Sequence, residues 1–505
     1  MKISTPWLWS LGSAFAVTLC GSETAEQRPN VLWIVSEDNG PELGCYGDPS
    51  ARTPHLDRLA AEGVRFTHAF VPYAVCSPSR ASFLTGLHPQ QHGQLGLATH
   101  RFALYREDTP NIVTRLRAAG YRSGLVGKLH VNPERAFPFD SRAIAASNFS
   151  RAQPAEAYVD AAVKFWRDAG DRPWFLAVNF PDAHLPFVRE AQGRPAVPQT
   201  GEDVKPLPWI GADSARLRDI TADYYNCLAR LDDGVGRLLA ALDQSGAAAN
   251  TIVVYFGDHG AQFPRGKGTV YDAALRVPLI IRWPGRTVAG TVRAELVSTL
   301  DLLPTVLRAA GLPVRGLPGR ELQPLFGAEP PASWREYVHA VTTGSLPQAC
   351  FVQESIQDRR WKLIWSPSQP PENNYAREYL GTPGTPPHYP TGLVAEEVAA
   401  LSAEVKAAYD RWLSPPRYEL YDLQTDPQEW RNLADVPAFA PIKARLIAAL
   451  EAHQLEIGDP FLEPGNLDAY VREQIAHRGS DYLRDKGFRW SHTESFRKWR
   501  EQRTP

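Results

Sequence analysis

Methionine and lysine are scarce in this chain, with one Met and 10 Lys against 44 Arg in 505 residues. A lysine that does occur therefore stands out wherever a compact point charge serves better than a planar guanidinium. Cysteine is also sparse, with four of the five (Cys45, Cys76, Cys227 and Cys350) beyond residue 25. That excludes a disulfide scaffold and a paired-cysteine zinc site. No apolar run reaches the roughly 18 residues of a membrane span. Net charge is only −2, which argues against a nucleic-acid-binding surface. With 43% apolar and 22% charged residues, the chain is not disordered. Its length exceeds one ordinary core and predicts a large domain with a smaller one.

The longest apolar stretch, residues 7–20, follows Lys2 and precedes Ser22-Glu23-Thr24-Ala25. A charged start, a short apolar run and a small-residue exit predict a secretory signal over residues 1–25, hence a secreted or periplasmic protein. An amino-terminal helix of the domain is the alternative.

Beyond it, apolar runs alternate with amphipathic segments. Residues 31–35, 64–70, 124–127, 174–180, 251–256 and 279–283 read as strands. Residues 112–119, 155–167, 216–242 and 300–310 read as helices, as does the segment opened by Thr53-Pro54, with Thr53 as N-cap. Repeated βα units predict an α/β domain, a mostly parallel sheet with helices on both faces, over residues 26–330. From 331 to 460 the rhythm changes. Residues 337–342, 360–365 and 418–423 predict a small antiparallel sheet in an α+β subdomain, with helices over 395–412 and 441–453 and a long loop over 366–391. Residues 461–505 form a polar, aromatic tail of no evident fold.

In parallel sheets ligands gather beyond the carboxyl ends of the strands. There the chain places Ser36-Glu37-Asp38-Asn39-Gly40 and Gly257-Asp258-His259-Gly260. Each alone reads as a solvated acidic turn. Converging, they read as a site for a hard cation with oxygen ligands, Ca²⁺ or Mg²⁺, although an imidazole suits softer metals. Lys128 and His130 follow another strand, and His184 follows the strand that ends near Phe180. Most lone histidines are structural, but a place beyond a strand end favours a site.

Cys76-Ser77-Pro78-Ser79-Arg80 is the most specific pattern. Cysteine with Pro at +2 and Arg at +4 is expected about 0.04 times by chance in this composition. With the following Ala81-Ser82-Phe83-Leu84-Thr85-Gly86, it resembles the signature of type I sulfatases. In that family this cysteine is oxidised to formylglycine before folding by a formylglycine-generating or other maturating enzyme. The resemblance extends to Pro54-His55-Leu56-Asp57-Arg58-Leu59-Ala60, Gly127-Lys128-Leu129-His130, Leu231-Asp232-Asp233-Gly234-Val235-Gly236 and the Tyr421-to-Leu433 region. Among sulfatases, Gly127 to Glu134, Phe263-Pro264-Arg265-Gly266-Lys267 and Gly458-Asp459-Pro460-Phe461 resemble the heparan N-sulfatases, or sulfamidases.

The resemblance implies an alkaline-phosphatase-like fold and a site. Cys76 as formylglycine is the nucleophile. Glu37, Asp38, Asp258, His259 and oxidised Cys76 hold the metal, Ca²⁺ first. Arg80, Lys128 and Lys267 neutralise the aldehyde hydrate and the sulfate. His130 stands beside the nucleophile, and His184 contacts sulfate and protonates the leaving group. Of the hydrate's two hydroxyls, one attacks sulfur and the other later expels sulfate. Two departures bear on the metal: Glu37 where Asp is usual and His259 where Asn is commoner. Lys267 stands where sulfamidases have Arg and most O-sulfatases have Lys. The substrate implied is a sulfated carbohydrate, N-sulfoglucosamine of heparan type first, with a carbohydrate O-sulfate as alternative. A phosphonate or phosphate ester hydrolase of the same superfamily is a rival reading. A secreted glycan-binding protein with unoxidised Cys76 is the non-catalytic one. His55, His68, His88, His92 and His100 have no such placement and read as surface or core residues.

Overall fold

The computed structural model describes Met1 and residues 28–145, 153–367 and 372–503. The signal expected over residues 1–25 therefore lies, Met1 apart, outside the described residues. β1 (Asn30–Ser36) carries Val31, Leu32, Trp33, Ile34 and Val35, each without exposed surface. A strand apolar at every position needs cover on both faces, the condition that parallel α/β sheets meet. It is joined by β2 (Val64–Phe70), β3 (Arg122–Val126), β4 (Ser141–Ala143), β5 (Trp174–Asn179), β6 (Thr251–Gly257), β7 (Arg276–Arg282), β8 (Thr291–Arg293) and β9 (Val297–Ser298). Their order is β4-β3-β5-β1-β6-β7-β2-β8, with β9 beside β2. Only β7 runs against its neighbours; the other pairings are parallel.

Register positions the site. Val35 pairs with Asn179 and with Phe256, Ser36 with Gly257, and Val126 with Val178. The central strands thus end at one level, and the loops that leave them open onto one edge.

The 30-residue helix Ala215–Gln244 starts at Ser214, whose Oγ accepts from Leu217 N. It also corrects the expected cap of helix Pro54–Glu62. Asp232 accepts from His55 N at 3.1 Å and Leu56 N at 2.8 Å, whereas Thr53 Oγ1 accepts from Gly44 N and donates to Asp57. Close approach makes this work: a Cβ on Gly236 would lie 2.4 Å from the His55 ring.

A second sheet runs β10 (Val338–Thr342), β11 (Gln353–Gln357), β12 (Trp361–Trp365) and β13 (Tyr418–Asp422), antiparallel throughout. Helix Ala440–Ile457 covers it through Leu446 and Leu450, which join Ile356, Leu363 and Leu420 in one apolar cluster. The single helix expected over 395–412 is two, Ala395–Ala399 and Ala403–Leu413. Ser402 caps the second, and Glu397 is held by Arg216. The expected long loop over 366–391 contains a turn of helix, Asn374–Arg377, and buried Tyr375 and Tyr379. The tail, unreadable in sequence, forms helices Pro464–Ala476 and Ser491–Glu501. Tyr470, Trp490 and Phe496 pack there with Tyr73, Val75, Leu95 and Phe102, the residues around the Cys76 turn. Among the described residues no helix is long and apolar enough to cross a membrane, and Cys45, Cys76, Cys227 and Cys350 form no disulfide with one another.

Three histidines close the seam between the sheets. His339 of β10 and His453 of helix Ala440–Ile457 stack with ring centroids 3.4 Å apart, and His88 meets His453 at 4.8 Å. Burial lowers all three, His453 to about 4, with neighbouring His92 and Arg335 acting in the same sense on His88. The unfolded chain therefore takes up more protons than the folded one below pH ~6.5. Stability falls as pH drops through that value, by up to about 4 kcal/mol per pH unit for three protons. Because His184 and His259, raised in the folded chain, act in the opposite sense, the check is by difference: between pH 7.5 and 5.5 urea unfolding should lose less stability in His453→Phe than in the wild type, and equal losses would refute it.

Candidate active site

Ten polar residues singled out in the sequence meet at the edge where β1, β3, β5 and β6 end. Glu37 and Asp38 leave β1, and Asp258 and His259 leave β6; none of the four has exposed surface. The two loops are laced by Asp258 N donating to Ser36 O at 3.0 Å and Asp38 N donating to Asp258 Oδ1 at 3.0 Å. Asp38 sits at φ 49°, a left-handed conformation that aspartate tolerates better than most residues.

Cys76 opens helix Cys76–Thr85, every residue of which is buried. Its Sγ lies 3.4 Å from His259 Nε2 and 3.9 Å from Asp38 Oδ1. Burial alone would raise the thiol, but Lys128, Lys267 and His259 overcome it and hold Cys76 well below the usual thiol range. An anion is thus the favoured occupant of this position.

Three buried cations face three buried carboxylates. Lys128 Nζ donates to Glu37 Oε2 at 2.8 Å, and Lys267 Nζ to Asp38 Oδ2 at 2.7 Å. Arg80 donates from Nε and Nη2 to Asp258 Oδ2 and from Nη1 to Asn179 Oδ1 and Lys128 O. Arg80 is the knot that ties the β3, β5 and β6 ends together. Burial raises Glu37 despite Lys128 and Arg80, whereas at Asp38 burial is overcome by Lys267, His184 and His259 together, which lower it.

The two outlying histidines differ. His184 Nδ1 donates to Leu185 O at 2.7 Å, and the ring lies with Glu37 and Asp38 in one cluster of ligand atoms within 4.8 Å. Burial works against its charge, but Asp38 and Cys76 together overcome it, so His184 is raised. His130 is lowered by burial, with Lys128 and Arg80 adding to it and Cys76 opposing. The His130 ring is buried beside Cys76, and the one basic nitrogen of its neutral form is placed to take a proton from the site.

The donor set suits a metal. One ligand atom each from Asp38, Cys76, Asp258 and His259 lies within 4.8 Å of the others. His259 Nδ1 donates to Gly260 O at 3.0 Å, so a neutral ring turns its Nε2 lone pair toward Asp38 Oδ1 at 3.3 Å and Asp258 Oδ1 at 3.7 Å. Lone pairs so placed need a proton or a cation between them. Against burial, Asp258, Asp38 and Cys76 raise His259 to about 9, a field that would draw a metal as readily as a proton. Glu37 Oε1 is likewise buried without a hydrogen-bond partner. Carboxylate oxygens with a single imidazole fit a hard divalent ion.

Sequence reasoning missed the supports. Asn179, the one polar residue of β5, holds Arg80. Arg230 of the long helix grips Asp182 at 2.8 and 3.0 Å and so anchors the turn that presents His184. Tyr375 donates to Lys267 O at 2.8 Å. Buried Arg265 stacks on Tyr271 and Trp430 and donates to Gln428 O and Glu429 O, tying the Lys267 loop to the segment after β13. Only Asn179 carried a readable signal, as a polar residue ending an apolar strand.

Residues 29–312 match the family model described as Sulfatase, and residues 257–371 the one described as N-sulphoglucosamine sulphohydrolase, C-terminal. N-sulphoglucosamine sulphohydrolase of Homo sapiens is 31% identical over 472 residues, covering 86% of this chain and 92% of its own. A solved protein in complex with its substrate D-glucosamine-2-N,6-O-disulfate superposes with TM-score 0.62 at 20% identity, over 86% of this chain and 98% of that one. The phosphonate monoester hydrolase of Silicibacter pomeroyi does so with TM-score 0.63 at 22% identity, over 86% and 96%. The solved structures bear on the fold, which is the alkaline-phosphatase-like one expected.

Proposed function

The chain belongs to the sulfatase family, and on that premise we propose that it removes sulfate from a glycan end, with N-sulfoglucosamine of heparan type as first substrate. The observation that carries this reading is the placement of Cys76 at a buried helix start, its thiol held low by Lys128, Lys267 and His259. A sulfate ester or sulfamate is a poor electrophile because its oxygens are negative, and such a site neutralises them as the transition state forms. Oxidation of Cys76 to formylglycine by a maturating enzyme supplies the nucleophile. A divalent cation, Ca²⁺ with Mg²⁺ as alternative, held by Glu37, Asp38, Asp258, His259 and the modified Cys76, supplies Lewis-acid stabilisation.

The chain's own groups do the rest. Lys128 and Lys267 hold the sulfate oxygens, while Arg80 keeps Asp258 and the strand ends in place. His184 gives a proton to the leaving nitrogen or oxygen, and His130 takes one beside Cys76. The division into a signal over residues 1–25, a catalytic domain to about 330 and a carboxyl-terminal subdomain is part of the same proposal, as is secretion or periplasmic export.

Human N-sulphoglucosamine sulphohydrolase and the matched carboxyl-terminal family support the N-sulfate reading. Lys267 in place of Arg supports an O-sulfate instead, because an ammonium cannot make the planar two-pronged contact of a guanidinium. The fold shared with a phosphonate monoester hydrolase supports a third substrate class. Free sulfate should be released from glucosamine N-sulfate by the matured enzyme. Turnover of glucosamine 6-sulfate alone would reject the N-sulfate assignment, and turnover of a phosphonate ester alone would reject the sulfatase activity.

A further inference from the structure

The loop that carries Lys267 folds back on itself and is held from the carboxyl-terminal subdomain. Ala261 O accepts from Phe263 N and from Lys267 N, both at 3.0 Å, and Gly266 N donates to Phe263 O at 2.9 Å. This closed turn brings the Gln262 side chain against that of Lys267. Lys267 Nζ donates to Gln262 Oε1 at 3.4 Å as well as to Asp38 Oδ2 at 2.7 Å. An ammonium only donates, so the amide atom that faces it is the oxygen. Asp38 spans the distance to the nucleophile, since its other oxygen lies 3.9 Å from Cys76 Sγ. The next residue is fixed as well. Gly268 N donates at 2.8 Å to the carbonyl of Ala74, two residues before Cys76. Thr342 of β10 donates to Gly268 O at 2.9 Å, and Tyr375 donates to Lys267 O at 2.8 Å. Gly268 sits at φ 88°, and a Cβ there would lie 2.4 Å from the Tyr375 ring, so ring and loop are in close contact.

We propose that Gln262 is a positioning residue for Lys267, its amide oxygen directing the ammonium so that the third N–H meets a sulfuryl oxygen of the substrate. A lysine carries three N–H donors on a flexible four-carbon stem. With Asp38 as its one acceptor, the ammonium would pivot about a single contact. Gln262 as a second acceptor removes that freedom and leaves one N–H uncommitted among the described residues. Gln262 and Lys267 are only 7% and 8% exposed, so bulk water does not take the place of the amide. A guanidinium at this position would be oriented by its own planar fork, whereas an ammonium takes its direction from its partners. Gln262 is therefore the companion that Lys267 requires. Tyr375 acts on the same residue through its backbone carbonyl, which gives the carboxyl-terminal subdomain a hold on the sulfate-binding cation.

This inference rests on the sulfatase reading, and the test separates the two. The matured full-length enzyme is assayed on glucosamine N-sulfate and on 4-nitrophenyl sulfate, which share only the sulfuryl group, with inorganic sulfate as competitive inhibitor. Gln262→Met keeps the reach of the side chain and removes the acceptor. It should lower kcat/KM on both substrates by one common factor, about threefold to tenfold, the worth of one hydrogen bond, and raise the inhibition constant of sulfate by a like factor. Tyr375→Phe should move the same constants together by a smaller factor, and it decides the matter if Gln262→Met does not fold. A loss confined to the sugar substrate would put Gln262 on the sugar instead of on Lys267. A loss on both substrates with sulfate inhibition unchanged would make its role merely structural. Either result, or unchanged kinetics, would overturn the proposal. A wild-type enzyme that releases sulfate from neither substrate would overturn the sulfatase reading instead.

Discussion

Replacing Cys76 with Ser is expected to stop steady-state sulfate release, by about 10⁴-fold or more, while leaving the fold in place. Serine has one hydroxyl. It can accept the sulfuryl group but has no second hydroxyl with which to expel it, so sulfated protein should accumulate and be visible by intact-mass spectrometry. The fold survives because the exchange is nearly isosteric at a residue only 2% exposed, and because Lys128, Lys267 and Arg80 keep their carboxylate partners. An unchanged melting temperature together with lost turnover is the expected pair of results. Wild-type turnover in the serine variant would end the formylglycine mechanism. Digestion of the wild-type protein gives the companion measurement, the mass of the Cys76 peptide.

Removal of Asp38 or Asp258 is expected to have the second largest effect, and on more than activity. Asp38→Ala leaves Lys267 buried without its carboxylate, and Asp258→Ala strips Arg80 of its nearer one, leaving Glu37 at 3.4 Å. Stripping one partner from a buried ion pair costs about 3–5 kcal/mol, because the remaining charge is left uncompensated. A lysine can relieve that by losing its proton, whereas an arginine cannot. Asp258→Ala, which removes two Arg80 hydrogen bonds at once, should be the more destabilising of the two. Asp258 also accepts from Asp38 N and so loses the lacing between the β1 and β6 loops. Metal analysis and thermal melting on the same preparations check both parts. Full metal content with full activity in either variant would overturn the ligand set.

The legible parts of this chain were those whose physics is local. A strand apolar at every position, as in β1, announces burial on both faces. The polar residues directly after β1 and β6 announce the ligand edge, and the Cys76-to-Arg80 turn is too specific to arise often by chance. What stayed illegible depends on partners far along the chain. β11 reads Gln-Glu-Ser-Ile-Gln yet is buried at every position, because Gln454 donates to Glu354 and Gln353 donates to Ser366. Polar side chains satisfied across 100 residues leave no hydrophobic pattern to find. Helix Pro54–Glu62 is capped from Asp232, some 176 residues away, so the nearer Thr53 was the natural misreading. Residues 395–412 look like one helix because alanine and glutamate dominate, and the break comes from Ser402 and from Arg216 drawing Glu397 aside. The anchors of the segment around His100, Tyr482 and Trp490, were equally out of reach, because they lie nearly 400 residues downstream.

That last distance has a consequence in time. Helix Cys76–Thr85 is buried along its whole length, and Tyr73 and Val75 just before it are sealed by Tyr470, Trp490 and Phe496. An enzyme that modifies Cys76 must reach an extended peptide, so on the proposed reading its work is done before this packing closes. The closing residues are synthesised some 400 residues after Cys76. At roughly 5–20 residues per second, the chain between Cys76 and Phe496 takes about 20–80 s to emerge. On that reading the carboxyl-terminal helices act as a late latch, and the order of synthesis sets the interval in which Cys76 stays open to modification.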